Sequence, residues 1–149
     1  MKTRNPRGVR LMLLPAEVQE SVKQALSSMT EPVTVKFYTK PGDEASNTMR
    51  DLWQEIRAVS PKLLVEEAES VPPGMDATAM EGAVSELWRG GAFTGIRYLG
   101  IPSGYEFGPM IETIGEVSRG VAPEVSAPVA EWLRTLDKPL HFQVFVTPT

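Results

Sequence analysis

Residues 18–42 read VQESVKQALSSMTEPVTVKFYTKPG, and residues 125–149 read VSAPVAEWLRTLDKPLHFQVFVTPT. The second stretch repeats the first at a constant offset of 107 (125 − 18), without a gap. Apolar residues three or four apart, followed by a β-branched and aromatic run, predict a helix and then a strand in each copy. The matched pairs are Val18 with Val125, Val22 with Val129, Leu26 with Leu133, Met29 with Leu136, Pro32 with Pro139 and Pro41 with Pro148.

The stretch between the two copies predicts the rest of one folded unit. Asp43 is a suitable N-cap because its carboxylate can accept hydrogen bonds from the first turn of the following helix. A βαβ unit followed by a hairpin and a helix makes the first two strands parallel and the hairpin antiparallel. This α/β order, a mixed sheet flanked by helices, is that of the thioredoxin fold. The expected strands are 33–39, 62–68, 84–88, 96–99 and 139–147. The first expected helix begins near Pro15, and the other three span 43–60, 105–118 and 125–136.

The composition excludes several chemistries. The chain has 149 residues, a net charge of −4 and no cysteine, which removes disulfides, thiolate nucleophiles and Cys-ligated metals. The single histidine, His141, cannot alone build a zinc site or a catalytic triad. The acidic balance predicts neither a nucleic-acid nor a membrane partner, and no apolar run is long enough for a transmembrane span. We therefore expect no metal, no cofactor and a cytoplasmic location.

The most specific stretch is GIRYLGIPSGYEFGPMIETIGEVSRG, residues 95–120. It resembles the protein disulfide oxidoreductases of bacteria and archaea, often labelled glutaredoxin-like, which carry two thioredoxin-like units in tandem. Their first unit ends in an R-[YF]-x-G-[LI]-P-[AS]-G-[YH]-E-F string, and the N-terminal domain of the flavoprotein component of alkyl hydroperoxide reductase has a looser version. The matching positions are Arg97, Tyr98, Gly100, Pro102, Gly104, Glu106 and Phe107, then Val117, Ser118, Arg119 and Gly120.

The resemblance implies a Cys-x-x-Cys pair after the first strand of each unit, where a helix N-terminus stabilises the thiolate. In the first unit those positions hold Asp43 and Ser46, and in the second they would lie just past Thr149. The family also places a cis-proline before the third strand, and here that position is Ala83. A cis bond before a non-proline residue is costly, so we expect a trans bond there and an altered or lost peptide-binding edge. The sequence therefore assigns no catalytic residue.

Several residues have both a functional and a structural interpretation, and the structural one is favoured. We expect Asp43 to be a helix cap rather than an altered catalytic group. Glu106 is expected to complement the dipole at the start of its helix. Trp53 and Trp132 lie on apolar helical faces and are predicted core residues. Trp88, beside a glycine turn, is the best candidate for an exposed aromatic side chain.

Three functional hypotheses remain. The first is a redox-inactive thioredoxin-like unit (15–120) of a protein disulfide oxidoreductase, preceded by an arm (1–14) and followed by the opening helix and strand of a second unit (121–149). It would act as a scaffold or docking surface. The second is a stand-alone protein-binding module, and the third is an enzyme with unrelated chemistry. The expected partner is a protein, either a second thioredoxin-like unit or another copy in a homodimer, bound through residues 125–149.

Overall fold

The computed structural model describes residues 12–68, 70–72, 74–75 and 83–146. Within these ranges the order of elements is the one predicted for a thioredoxin-like unit, followed by one further helix. Residues 1–11 of the predicted arm and residues 76–82 of the loop before the third strand lie outside the described residues. The helices are α1 (Ala16–Leu26), α2 (Glu44–Val59), α3 (Phe107–Arg119) and α4 (Ala127–Arg134), and the strands are β1 (Val33–Tyr38), β2 (Leu63–Ala68), β3 (Val84–Arg89) and β4 (Ala92–Leu99).

The four strands form one mixed sheet in the order β2-β1-β3-β4. β1 pairs in parallel with β2, because α2 carries the chain back along the sheet before β2 begins. β1 pairs antiparallel with β3, and β3 forms a hairpin with β4. Gly90 and Gly91 make the hairpin turn with φ values of 58° and 80°, which glycine adopts without steric cost. The predicted α/β class and strand directions are confirmed.

One face of the sheet and helices α1, α2 and α3 enclose the hydrophobic core. The alternate residues Val33, Val35 and Phe37 of β1 point into it and are fully buried. Trp53 of α2 is also fully buried, and its indole Nε1 donates a hydrogen bond to Ser85 Oγ at 2.9 Å. The prediction that Trp53 belongs to the core is confirmed. Other core side chains are Val22, Leu26, Met29, Met49, Leu52, Ile56, Met110, Ile111 and Ile114.

The end of the family-specific stretch has a structural role. Ser118 is buried in α3, and its Oγ accepts the backbone N–H groups of Thr30 and Glu31 at 3.0 and 3.1 Å. The same hydroxyl lies 2.5 Å from the Glu31 carbonyl oxygen, to which it donates. Gly120 then ends α3 in the left-handed conformation, with φ of 66°. The end of α3 is thereby tied to the turn between α1 and β1.

The second copy of the repeat folds only in part. Helix α4 lies within the predicted range, but the predicted strand at 139–147 is wrong, since residues 139–146 form no strand. A strand exists only beside another backbone with which it exchanges hydrogen bonds, and no described strand borders this segment. Trp132 is 56% exposed, so its predicted core position is also wrong. The helical pattern is confirmed, but no described element covers that face.

Candidate functional site at the start of the second helix

The positions at which the resembled family has its two cysteines lie at the N-terminus of α2. Asp43 is the N-cap, and its Oδ2 accepts the Ser46 backbone N–H at 2.7 Å and the Ser46 hydroxyl at 2.8 Å. Ser46 Oγ also accepts the backbone N–H of Lys40 at 2.9 Å. Gly42, with φ of 78°, makes the turn that brings these groups together. The predicted cap is confirmed, and the two side chains at the dithiol positions are bonded to each other.

This arrangement stabilises a carboxylate rather than a nucleophile. Hydrogen bonds from the Ser46 hydroxyl and amide, together with the nearby Lys40 charge, hold the pKa of Asp43 below its ordinary value. A carboxylate with a lowered pKa is a poor general base for a hydroxyl group at neutral pH. Ser46 is 1% exposed, with its hydroxyl engaged by Asp43 and Lys40. The pair therefore orders the start of α2 and has no evident route to attack a substrate.

The Asp43 cap predicts a specific pH dependence of stability. Because the folded-state pKa is lowered, the stabilisation from this carboxylate is complete above its unfolded pKa of about 3.9 and is lost as pH falls through the folded value. Asp43→Asn keeps an acceptor but loses the charge at the helix N-terminus, so we expect it to cost about 0.3–1 kcal/mol at pH 7. Urea unfolding of both proteins from pH 7 to strongly acidic pH measures this difference, which should shrink towards zero in acid. Asp137→Asn, outside any helix, is the control, and a pH-independent difference would contradict the assignment.

Ala83, at the position of the family's cis-proline, lies fully buried directly before β3. Its carbonyl oxygen accepts the backbone N–H of Gly100 at 2.8 Å, which extends the hairpin pairing by one bond. The peptide bond that precedes it joins Gly82, which lies outside the described residues, so its trans state stays a prediction. The carbonyl of Ala83 is thus engaged in a hydrogen bond within the sheet.

Sequence reasoning missed a buried carboxylate on the opposite face of the sheet. Glu86 of β3 is 1% exposed, and it accepts hydrogen bonds from Arg97 Nε at 2.9 Å, Trp88 Nε1 at 3.1 Å and the Tyr38 hydroxyl at 3.2 Å. The register places Arg97 of β4 directly opposite Glu86. Burial and the Glu86 charge raise the pKa of Tyr38. The sequence signal that could have revealed this site is the single glutamate within the otherwise apolar strand VSELW. The contact with Glu86 gives Arg97, the arginine of the family-specific stretch, a structural role.

Trp88 is half-buried, so the prediction of an exposed aromatic side chain is wrong. Its ring centroid lies 5.7 Å from that of Phe93. The Lys36 ammonium group lies 4.0 Å from the Trp88 ring centroid and 3.6 Å from a Glu66 carboxylate oxygen. A cation over an indole face is attractive because the ring carries negative charge density there. Trp88 is therefore held by neighbours in its own sheet.

The described residues form, among others, two surface clefts that the residues at the dithiol positions do not line. One, of about 510 Å³, lies beside the hairpin turn and the start of β1, with Arg89 and Glu31 on its walls. The other, of about 310 Å³, is mainly apolar and lies between α2, Leu14 and the loop at 101–104. Across the described ranges, no group of three or more histidine and acidic residues could hold a metal ion. No helix in the same ranges is long and apolar enough to cross a membrane.

Comparison with known proteins supports this description. No protein-family model matches the chain. The chain is 30% identical over 139 residues to the alkyl hydroperoxide reductase AhpF of Staphylococcus aureus (strain NCTC 8325 / PS 47), an alignment that covers 92% of this chain and 25% of that protein. The Staphylococcus epidermidis protein of the same name matches with the same identity and coverage. The chain thus spans about a quarter of the length of these curated relatives.

Solved structures show the same fold. The alkyl hydroperoxide reductase AhpF of Enterococcus faecalis superposes with a TM-score of 0.69 at 21% identity, covering 84% of this chain and 62% of that one. A protein disulfide oxidoreductase from Aeropyrum pernix gives a TM-score of 0.63 at 21% identity, covering 86% of this chain and 58% of that one. The fold therefore defines a thioredoxin-like protein. The chain is similar in sequence to AhpF over nearly all of its own length and shares its fold with AhpF and a protein disulfide oxidoreductase, so the resemblance carried by residues 95–120 is confirmed.

Proposed function

We propose that this chain is a redox-inactive thioredoxin-like unit, which serves as a scaffold or docking surface within a cytoplasmic protein disulfide oxidoreductase system. The observation that carries the proposal is the bonded pair of Asp43 and Ser46 at the two dithiol positions. Thiol–disulfide exchange requires a thiolate that attacks a disulfide sulfur, and the 149-residue sequence contains no cysteine. Any exchange would therefore be carried out by a thiol outside these 149 residues, in a second thioredoxin-like unit or in another bound protein.

The remainder of the unit supports a scaffold role. The hydrophobic core, the hydrogen bond from Ser118 to Glu31 and the Glu86–Arg97 ion pair are all present. The thioredoxin-like fold is therefore kept although the thiols are absent. A unit that has lost its reactive groups but keeps its packing is suited to binding and positioning another protein. The relatives are named as a hydroperoxide reductase component and a disulfide oxidoreductase, and a place in cell redox homeostasis is carried over from them as part of this proposal.

The purified chain is expected to leave the dithiothreitol-driven reduction of insulin disulfides at its background rate, because it has no thiol to form a mixed disulfide. Turbidity from precipitating insulin chains reports the rate. A thioredoxin with an intact Cys-x-x-Cys pair is the positive control. Turnover by the cysteine-free chain above that background would overturn the proposed inactivity.

A stand-alone protein-binding module is the alternative, since a thioredoxin-like unit without cysteine can still act through protein contacts. The two functions predict different gene sequences beyond the codon for Thr149. A Cys-x-x-Cys encoded there in register with the repeat supports the oxidoreductase unit. A native stop codon at that point supports the stand-alone module.

A further inference from the structure

A buried carboxylate fastens the chain just before α1 to the side of α2. Glu55 of α2 is 8% exposed, and its two oxygens accept the backbone N–H groups of Leu13 and Leu14, each at 2.8 Å. Leu14 is itself buried, and its carbonyl oxygen accepts a hydrogen bond from Gln19 Nε2 at 2.9 Å. A buried carboxylate is costly unless it is hydrogen-bonded. The contact therefore fixes the point at which the preceding residues reach the folded unit.

The mainly apolar cleft of about 310 Å³ adjoins this point and belongs entirely to the first unit. It lies beside α2, from Leu13 past Leu52 to Thr48, and the loop at 101–104 forms its opposite wall. β1 and β4 are both antiparallel to β3, so the segments that follow them lie at the same end of the sheet. The cleft is therefore at the end of the unit that also holds the dithiol positions.

Carboxylates border the cleft along α2. Glu44 and Asp51 are seven residues apart, so they lie on the same side of the helix as Thr48, which lines the cleft. Residues 1–11, which lead into the fastened segment, have the opposite charge. They contain four lysine and arginine residues and no aspartate or glutamate. The start of the chain and the border of the cleft are therefore complementary in charge.

The apolar residues of the preceding segment have the spacing that the cleft requires. Leu13 is fixed at Glu55, and Thr48 lies seven helical residues, about 10 Å, nearer the start of α2. Val9 lies four residues before Leu13, which is about 13 Å of extended chain. Leu11 and Val9 are two residues apart, so in an extended segment both face the same side. A segment that follows α2 towards its N-terminus can therefore place both side chains in the cleft.

The charged residues of the segment fit the same path. Arg10 lies about 10 Å of extended chain before the fastened point, and Asp51 lies about 6 Å from it along α2. The length of an arginine side chain spans that difference. Arg7 lies about 20 Å before the same point, and Glu44 lies about 16 Å from it. Each arginine therefore comes within reach of one carboxylate.

We propose that residues 7–11 of this chain occupy the apolar cleft as an extended segment, which we call the strap. Val9 and Leu11 fill the cleft, and the two arginines of the strap pair with the carboxylates of Glu44 and Asp51. The strap covers a binding surface at the dithiol end of the unit. A protein that binds there has to displace it. This inference goes beyond the scaffold function and does not depend on redox inactivity, since it concerns contacts within the chain.

Disulfide cross-linking in the full chain tests the position of the strap, and the absence of native cysteine makes it unambiguous. Val9→Cys combined with Thr48→Cys should form an intramolecular disulfide under mild oxidation, because the strap holds the two thiols together. The matched control combines Val9→Cys with Ser21→Cys. Ser21 is exposed on α1, seven residues after Leu14, so a segment free in solution would reach it as readily as Thr48. We expect the first pair to link about ten-fold faster or more.

Limited trypsin digestion tests the contribution of the charges. Trypsin cleaves after the two arginines of the strap, and the rate follows the fraction of molecules in which the strap is released. Glu44→Gln with Asp51→Asn should speed this cleavage about three- to ten-fold, because two exposed ion pairs are lost. Glu112→Gln with Glu116→Gln is the matched control, since it removes two exposed carboxylates from α3 that do not line the cleft. The control should be cleaved at the rate of the parent.

Equal linking of position 9 to α1 and to α2 would overturn the proposal. A disulfide between two chains would place the segment of another copy in the cleft, and would overturn it too. Equal trypsin rates for the two charge variants would show that the carboxylates of α2 do not hold the segment. Circular dichroism should match the parent for every variant, because Thr48 Oγ1 bonds only within α2, to the Glu44 carbonyl at 3.1 Å, and the other positions are not buried in the described part of the chain.

Discussion

Replacing both dithiol-position residues, Asp43→Cys with Ser46→Cys, is expected to convert the inactive chain into one that catalyses insulin reduction by dithiothreitol. The two positions already lie at the N-terminus of α2, where their side chains are in contact. A thiol at such a helix start has its pKa lowered from about 8.5 to about 7 or less, which raises the reactive fraction at neutral pH roughly ten-fold or more. Position 43 is partly exposed and position 46 is buried, so the first thiol would attack and the second would resolve the mixed disulfide.

The matched control is Glu44→Cys with Asn47→Cys, which keeps the same spacing one residue further along α2, where both positions are exposed. This variant should oxidise and turn over much more slowly, because neither thiol occupies the cap position. Each single substitution should turn over far more slowly than the double variant, since its mixed disulfide has no neighbouring thiol and must be resolved by dithiothreitol from solution. Equal rates for the two double variants would mean that α2 does not retain the geometry of a thioredoxin-like site.

Removing the cation from the buried ion pair is expected to produce the largest loss of stability. Glu86 is 1% exposed, and Arg97 Nε donates to it at 2.9 Å. Arg97→Met would leave that carboxylate buried without its cation, at a cost of about 3–5 kcal/mol in the free energy of unfolding. Urea denaturation followed by circular dichroism measures the change.

Two further variants make this prediction specific. Arg50→Met removes a cation from Glu67 in a pair that is far more exposed, and should cost at most about 1 kcal/mol. Adding Glu86→Gln to Arg97→Met should recover much of the loss, because a neutral amide oxygen can still accept from Tyr38 and Trp88. If Arg97→Met were no more destabilising than Arg50→Met, the buried pair would not have the role assigned to it.

Local sequence signals predicted the first unit well because each element there carries its own signal. The alternation of Val33, Val35 and Phe37 predicted the central strand, and Asp43 predicted the start of α2. The same reasoning was wrong for the segment at 139–146, whose pattern is equally strand-like. Strand formation depends on a neighbouring backbone, and no local pattern contains that neighbour. The core position predicted for Trp132 was wrong for the same reason, since a helical stripe does not reveal whether anything covers it.

The amino-acid sequence by itself determined the family resemblance, the order of elements in the first unit and the absence of thiols at Asp43 and Ser46, because these depend on residue identity and short-range periodicity. Tertiary structure alone decided that Glu86 is buried against Arg97, and that Asp43 and Ser46 bond to each other. It also decided that one copy of the repeat is covered and the other left exposed. These outcomes depend on contacts between distant segments, such as Glu86 with Tyr38 or Thr30 with Ser118, which become visible only when the chain is folded.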